Sequence, residues 1–91
     1  MSLGKEARLE EVVRVKLKFN KKAAFRVYDE LDCPVKEDEQ GNLYAEIEIP
    51  NDYSLYCYIL SFGDNVEVLE PTKIREQITE MIERMAQKYK N

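Results

Sequence analysis

The sequence predicts an α+β fold in which helices cover one face of a four-stranded antiparallel sheet. Apolar and charged residues alternate over two stretches of the chain, as they do in strands with one buried face. The segments that follow these stretches carry apolar residues three and four positions apart, as amphipathic helices do. In chain order we expect a strand over about residues 11–19, a helix over 21–31, strands over 35–39 and 43–49, a helix over 53–62, a strand over 66–69 and a helix over 71–88.

This order is that of a split βαββαβ, or ferredoxin-like, sandwich with an additional C-terminal helix. Right-handed crossovers would place the first and third strands side by side and antiparallel, with the fourth strand beside the first. Arg14, Lys16 and Lys18 would then lie across from Glu46 and Glu48 on the open face of the sheet. Because opposite charges attract across a strand pair, we expect this basic row to be neutralised.

The first and third strands have the clearest alternation. Their apolar positions are Val13, Val15, Leu17 and Phe19 in the first strand, and Leu43, Ala45, Ile47 and Ile49 in the third. The second strand is short of apolar residues and highly charged, which suits the edge of a sheet. Gln40-Gly41-Asn42 supplies the turn after it, and Pro50 ends the third strand.

Capping residues mark the helix ends. Asn20 is a candidate N-cap for the first helix, and Asn51 or Asp52 for the second. Gly63 suits the left-handed position just past the end of the second helix, and Pro71 is compatible with the first turn of the last helix. The expected packing faces are Ala24, Val27, Tyr28 and Leu31 in the first helix, Leu55, Ile59 and Phe62 in the second, and Ile74, Ile78, Met81, Ile82, Met85 and Tyr89 in the last.

The composition argues against several functional classes. The chain has 91 residues, of which 44% are hydrophobic and 35% charged, as expected of one globular domain. It contains no histidine, no Walker loop and no GxGxxG or GxSxG motif, so we expect no enzyme, catalytic residue or cofactor. Eighteen acidic against fourteen basic residues give a net charge of −4, which disfavours direct binding to DNA.

Two further site types are also disfavoured. RNA-recognition domains share this topology and stack bases on exposed aromatic residues of the central strands. Here only Tyr44 occupies such a position, beside Glu46 and Glu48. Cys33 and Cys57 have no histidine to complete a tetrahedral zinc site, and we interpret them as reduced thiols.

Two surfaces remain candidates for an interface or a ligand site. Tyr53, Tyr56 and Tyr58 lie on the second helix, where they could line a pocket or simply be partly buried packing residues. The last helix carries a wide apolar stripe that includes Met81 and Met85. A ferredoxin-like core does not need this helix, which could pack on the flank of its own domain, across the open sheet face or against a second subunit.

Residues 58–89 resemble a known family. Tyr58-Ile59-Leu60-Ser61-Phe62-Gly63, then Val66-Glu67-Val68-Leu69-Glu70-Pro71, then Ile74-Arg75 is similar to the C-terminal extension (WCX-type) that follows the WYL domain in winged-helix, DeoR-like bacterial transcriptional regulators. Tyr89 matches the end of that pattern. One departure is Tyr58, because the family usually carries tryptophan there.

The resemblance covers about residues 9–89 and implies a regulatory, oligomerising domain of a transcriptional regulator. It implies a homodimer that contacts DNA only through an N-terminal domain absent from this chain, with a possible small-molecule effector. The alternative is a domain of the same fold that senses a metabolite or nucleotide itself. We expect residues 1–8 to be a cloning leader or linker, residues 9–91 to be one domain, and the protein to be cytoplasmic with no membrane contact.

Overall fold

The computed structural model describes residues 12–90. Its strands are β1 (Val12–Phe19), β2 (Lys36–Glu37), β3 (Leu43–Pro50) and β4 (Val66–Glu70), and its helices are α1 (Ala24–Glu30), α2 (Tyr53–Leu60) and α3 (Thr72–Lys90). Short 3-10 turns, Lys21–Ala23 and Gly63–Asn65, precede α1 and β4. The leader or linker expected over residues 1–8 lies outside the described residues.

The four strands form one antiparallel sheet in the order β2-β3-β1-β4, which confirms the predicted topology. The pairing of β1 with β3 runs over the full length of both strands, from Val12 opposite Pro50 to Phe19 opposite Leu43. Beside β4 the register shifts between Lys16 and Leu17 of β1. The ferredoxin-like α+β sandwich with an added C-terminal helix is therefore the fold of the chain.

The core lies between one face of the sheet and the helices. Alternate residues of β1 point into it, so that Val15, Leu17 and Phe19 are at most 1% exposed. The remaining buried apolar residues come from β3, β4, the three helices and the residues next to α1 and α2. They are Ala23, Val27, Leu43, Ala45, Leu55, Ile59, Phe62, Val68, Ile74 and Ile78. The predicted packing face of α2 is confirmed by this set.

The predicted helix N-caps, Asn20 and Asp52, are confirmed. The Asn20 side chain accepts a hydrogen bond from the backbone N–H of Lys22 at 2.9 Å, and Asp52 accepts one from Ser54 at 3.0 Å. Gly63 has a φ of +63°, in the left-handed region where a side chain would be strained. The last helix begins at Thr72, so Pro71 lies just before its first turn, where its carbonyl accepts from Ile74.

The packing face of α1, the length of β2 and the C-terminal half of the predicted α3 packing face differ from the prediction; Ile82, Met85 and Tyr89 of α3 are exposed. Tyr28, expected on the packing face of α1, is 57% exposed, because that face is formed by Ala23 and Val27. The strand β2 is only two residues long. Asp38 leaves the sheet to accept backbone N–H bonds from Gln40 and Asn42, each at 2.9 Å, and these bonds hold the turn.

Candidate interaction surfaces

The open face of the sheet carries the predicted charge row. Arg14 lies opposite Glu48 and Lys16 opposite Glu46, as expected. The Nη2 atom of Arg14 is 2.6 Å from Oε2 of Glu48, and this hydrogen bond raises the pKa of the guanidinium. The Lys16 ammonium lies 3.8 Å from carboxylates of Glu46 and Glu70.

Lys18 completes the row and has an aromatic partner. Its ammonium lies 6.0 Å from the ring centroid of Tyr44, at the limit of a cation–π contact. Each basic side chain of β1 on this face therefore has an anionic or aromatic neighbour. The open face does not present the uncompensated positive charge that phosphate binding requires.

The family-like segment around Tyr58 is held to α1 by Arg26. The guanidinium of Arg26 donates to both carboxylate oxygens of Glu30, at 2.9 and 3.1 Å, and to the carbonyl and hydroxyl oxygens of Ser61, at 3.1 Å each. It also lies 3.8 Å from the ring centroid of Phe62. This one side chain thereby joins α1 to the end of α2.

Tyr58 completes the same network. Its ring packs edge-on against Phe62 at 5.3 Å, and its hydroxyl donates to Glu30 at 2.8 Å. Burial and this bond raise the pKa of Tyr58 to about 12. The hydrogen bonds from Arg26 and Tyr58 lower the pKa of Glu30. The position where the family usually has tryptophan is thus a packing position, filled here by an aromatic ring whose polar tip has its own partner.

The structure does not bring the three tyrosines of α2 together. Tyr56 and Tyr58 are two residues apart, or about 200° around the helix, and leave it on nearly opposite sides. The Tyr56 hydroxyl donates to Asn51 at 2.9 Å, while Tyr53 is 72% exposed. Their role as an interface or ligand surface stays a prediction, but they do not form a common pocket wall.

The apolar stripe of α3 divides into a covered and an uncovered part. Ile74 and Ile78 are 1% and 8% exposed, whereas Ile82, Met85 and Tyr89 are 49%, 45% and 88% exposed. The first half of α3 therefore packs on the flank of its own domain, which is one of the three predicted arrangements. Met81 is half-buried at the boundary between the two parts.

A shallow groove adjoins this boundary. It has a volume of about 160 Å³ and lies between α2, β4 and α3. Its apolar lining residues are Ile59, Leu60, Val66, Val68, Ile78 and Ile82. Glu67, Arg75 and Thr79 also line the groove, and Ile82 belongs both to the groove and to the uncovered part of α3.

Sequence reasoning did not single out Arg26 or Phe25. The spacing of Arg26 and Glu30 signals their ion pair, but nothing local indicates that Arg26 also reaches Ser61. Phe25 is 85% exposed because it lies about 200° around α1 from Val27, which is buried. Phe25 lies outside the apolar face predicted for this helix, and that position could have indicated its exposure.

Other types of site are not evident within residues 12–90. Cys33 and Cys57 are free thiols, and no three or more cysteine, aspartate and glutamate side chains in this region are grouped to hold a metal ion. No helix between these residues is both long enough and apolar enough to cross a membrane.

Comparison with known proteins identifies the family of this chain. A 62-residue region of the chain is 40% identical to an uncharacterized HTH-type transcriptional regulator, YobV, of Bacillus subtilis (strain 168). That region is 68% of this chain but only 19% of the relative, so the chain corresponds to about a fifth of that protein. No solved structure matches. The model of the WCX domain family matches residues 11–86, nearly the whole chain, and the chain belongs to that family.

Proposed function

We propose that this chain is the non-catalytic C-terminal regulatory and oligomerisation domain of a bacterial transcriptional regulator. Its WCX family and its likeness to an HTH-type transcriptional regulator support the regulatory part. The observation that carries the oligomerisation part is the uncovered apolar surface of α3 at Ile82, Met85 and Tyr89. Contiguous exposed apolar surface of this kind marks interaction sites in soluble proteins.

In this proposal the domain acts on DNA only through other parts of the regulator. Its net charge is −4, and Arg14 and Lys16 on the open sheet face are paired with glutamates. DNA binding by a protein depends on lysine and arginine contacts to phosphates. The winged-helix and WYL domains that would contact DNA and bind an effector belong, in this proposal, to the rest of the protein.

Regulation would follow from coupling self-association to the arrangement of the attached domains. Two subunits joined through α3 hold their DNA-binding domains at a fixed spacing. An effector that binds one arrangement more tightly than another shifts the population toward it, and by linkage the arrangement changes the affinity for the effector. A sensor site on α2 has less support, because Tyr58 lies on the other side of the helix from Tyr53 and Tyr56 and its hydroxyl already donates to Glu30.

The oligomerisation part can be tested by fusing the 91-residue chain to a DNA-binding domain that represses a reporter gene only as a dimer. We expect the fusion to repress. A matched fusion that carries Met85→Glu should lose repression, while one that carries Tyr53→Glu, an exposed position on another helix, should keep it. A fusion that never represses, although it accumulates as folded protein, would contradict the proposal.

A binding assay tests the DNA part. The unfused chain, titrated into labelled duplex DNA at low salt, should show no shift. A strong shift that weakens with added salt would place DNA contacts in this domain and overturn the assignment of those contacts to other parts of the regulator.

A further inference from the structure

The outer edge of β3 is paired over only part of its length. The two residues of β2 bond to Leu43 and Tyr44 at the start of β3, although β3 continues to Pro50. On its other side β3 is paired with β1 from end to end. Among residues 12–90, therefore, no strand pairs with the outer side of β3 beyond Tyr44, and such an edge can accept an added strand.

The register shows which backbone groups face this edge. The backbone N–H of Asp38 donates to the carbonyl of Asn42 at 3.0 Å. Because the backbone groups of successive strand residues point to opposite sides, Glu46 and Glu48 direct theirs to the same side as Asn42. Within residues 12–90 no backbone hydrogen bond joins Glu46 or Glu48 to the chain between α1 and β2. The two residues thus offer two N–H and two C=O groups to an added strand.

A groove runs along this edge, and we call it the edge groove. It has a volume of about 570 Å³ and is lined by Arg14, Asp32, Cys33, Glu46, Ile47 and Glu48. If the register of β2 continued, Pro34 would stand opposite Glu46. Proline has no N–H with which to extend the ladder, which is a physical reason for β2 to stop where it does.

The edge groove carries an excess of negative charge, since three carboxylates and one guanidinium line it. On the open face of the sheet, Lys16 of β1 lies 3.8 Å from both Glu46 of β3 and Glu70 of β4. Charges therefore alternate in sign across the sheet, and a basic residue on the outer side of Glu46 would continue the alternation. The same holds for Glu48, whose inner neighbour is Arg14 and whose side chain is 60% exposed.

The core-facing side of the edge is apolar and incompletely covered. Ile47 and Ile49 are half-buried, whereas Val15, which lies opposite Ile47 on β1, is fully buried. The cover over the core therefore thins out at the outer side of β3. Apolar side chains on an added strand would bury the remaining surface of Ile47 and Ile49.

We propose that the edge groove binds an extended peptide strand from outside this domain, antiparallel to β3, in which basic and apolar residues alternate. Its basic side chains lie beside Glu46 and Glu48, and its apolar side chains cover Ile47 and Ile49. The direction follows β1 and β2, which are both antiparallel to β3. Addition of a strand to an exposed sheet edge is an established mode of peptide recognition. The site shares no residue with α3 and does not depend on self-association.

The test is a titration of the 91-residue chain with a capped eight-residue peptide of alternating lysine and valine, followed by amide hydrogen exchange. We expect a dissociation constant below about 1 mM. At saturation the amides of Glu46 and Glu48 should exchange at least tenfold more slowly, while that of Ile47, which faces β1, should not change. Absence of binding, or binding that leaves the amides of Glu46 and Glu48 unprotected, would overturn the proposal.

Peptides with methylated backbone nitrogens test the pairing without altering the protein. In the proposed antiparallel register the lysines stand directly opposite Glu46 and Glu48, so their N–H groups point to β3 and those of the valines point away. Methylation of the lysine nitrogens should abolish binding, and methylation of the valine nitrogens should preserve it. The reverse result would indicate a parallel strand, and equal affinities would indicate charge attraction without strand pairing. Either result would overturn the proposal.

Substitutions in the chain test the charge preference. Glu46→Gln together with Glu48→Gln should weaken binding of the peptide roughly fivefold or more. The matched control, Glu76→Gln together with Glu83→Gln, removes two exposed carboxylates of α3 and should leave the affinity unchanged. Met85→Glu should also bind normally, which separates this site from the association surface. Equal weakening by the two pairs of substitutions would show that only the net charge of the chain attracts the peptide, and the assignment of the site would then be wrong.

Discussion

The segment around Tyr58 and the end of α3 both stand out in the sequence, yet they differ in what surrounds them. Phe62 is 5% exposed, and Arg26 and Tyr58 are tied to Glu30 and Ser61 by hydrogen bonds. Met85 and Tyr89, by contrast, are 45% and 88% exposed on a helix whose first half is already packed. The segment around Tyr58 is engaged in the fold, whereas the end of α3 leaves apolar side chains exposed.

This difference bears on how a family motif relates to function. A pattern such as Ser61-Phe62-Gly63 is demanding because each residue meets a local requirement: a hydrogen-bond partner, a buried ring and a left-handed backbone. A surface for a second copy only has to be apolar and exposed, and many sequences satisfy that. The most recognisable residues of this domain are therefore accounted for by its fold.

The largest expected effect contrasts Phe62→Ala with Met85→Ala. Phe62 packs edge-on against Phe19 with ring centroids 5.0 Å apart, so its truncation should lower the free energy of unfolding by about 3–4 kcal/mol. Met85→Ala should change it by less than about 0.5 kcal/mol in dilute, monomeric protein. Urea denaturation measures both. Comparable losses for the two variants would contradict the division of the molecule described above.

A smaller effect is expected for Arg26→Ala, which removes the link between α1 and the end of α2. The urea midpoint should fall by less than for Phe62→Ala and by more than for Met85→Ala. Arg26→Lys should not restore it, because an ammonium lacks the planar fork that binds Glu30 and Ser61 while stacking on Phe62. A midpoint equal to that of the unsubstituted chain would show that the network is incidental to stability.

The smallest expected effect is the contribution of Tyr58 to the pH dependence of the free energy of unfolding. Burial and the hydrogen bond to Glu30 raise its pKa from the ordinary value of 10 to about 12. Between these values the folded chain holds a proton that the unfolded chain has lost, so stability falls as the pH rises through this range. Tyr58→Phe should show a shallower fall over the same range in urea denaturation series. If the free energy of unfolding falls equally steeply with pH in the unsubstituted chain and in Tyr58→Phe, the environment described for Tyr58 is wrong.

Much of the fold follows from the sequence because local patterns determine it. The alternation in β1 and β3 predicts both the buried residues and the pairing of Arg14 with Glu48, since one register satisfies both. Asn20 and Gly63 occupy their predicted capping and left-handed positions for similarly local reasons.

What could not be predicted depends on distant contacts. Tyr28 and Ala23 both fit a helical packing face, and only the position of α1 on the sheet decides that Ala23 is buried. The stripe on α3 predicts an amphipathic helix, but the periodicity does not reveal where the domain surface beneath it ends. The difference between Ile78 and Ile82 is therefore visible only in three dimensions.

Sedimentation velocity of the 91-residue chain over a range of concentrations tests the central claim most directly, with Met85→Glu as the matched variant. We expect the unsubstituted chain to shift from monomer to dimer as its concentration rises. The Met85→Glu chain should stay monomeric with an unchanged urea midpoint, because Met85 takes no part in the packed core. A chain that remains monomeric at millimolar concentration, or a Met85→Glu variant that dimerises equally well, would contradict the claim that the end of α3 is the association surface.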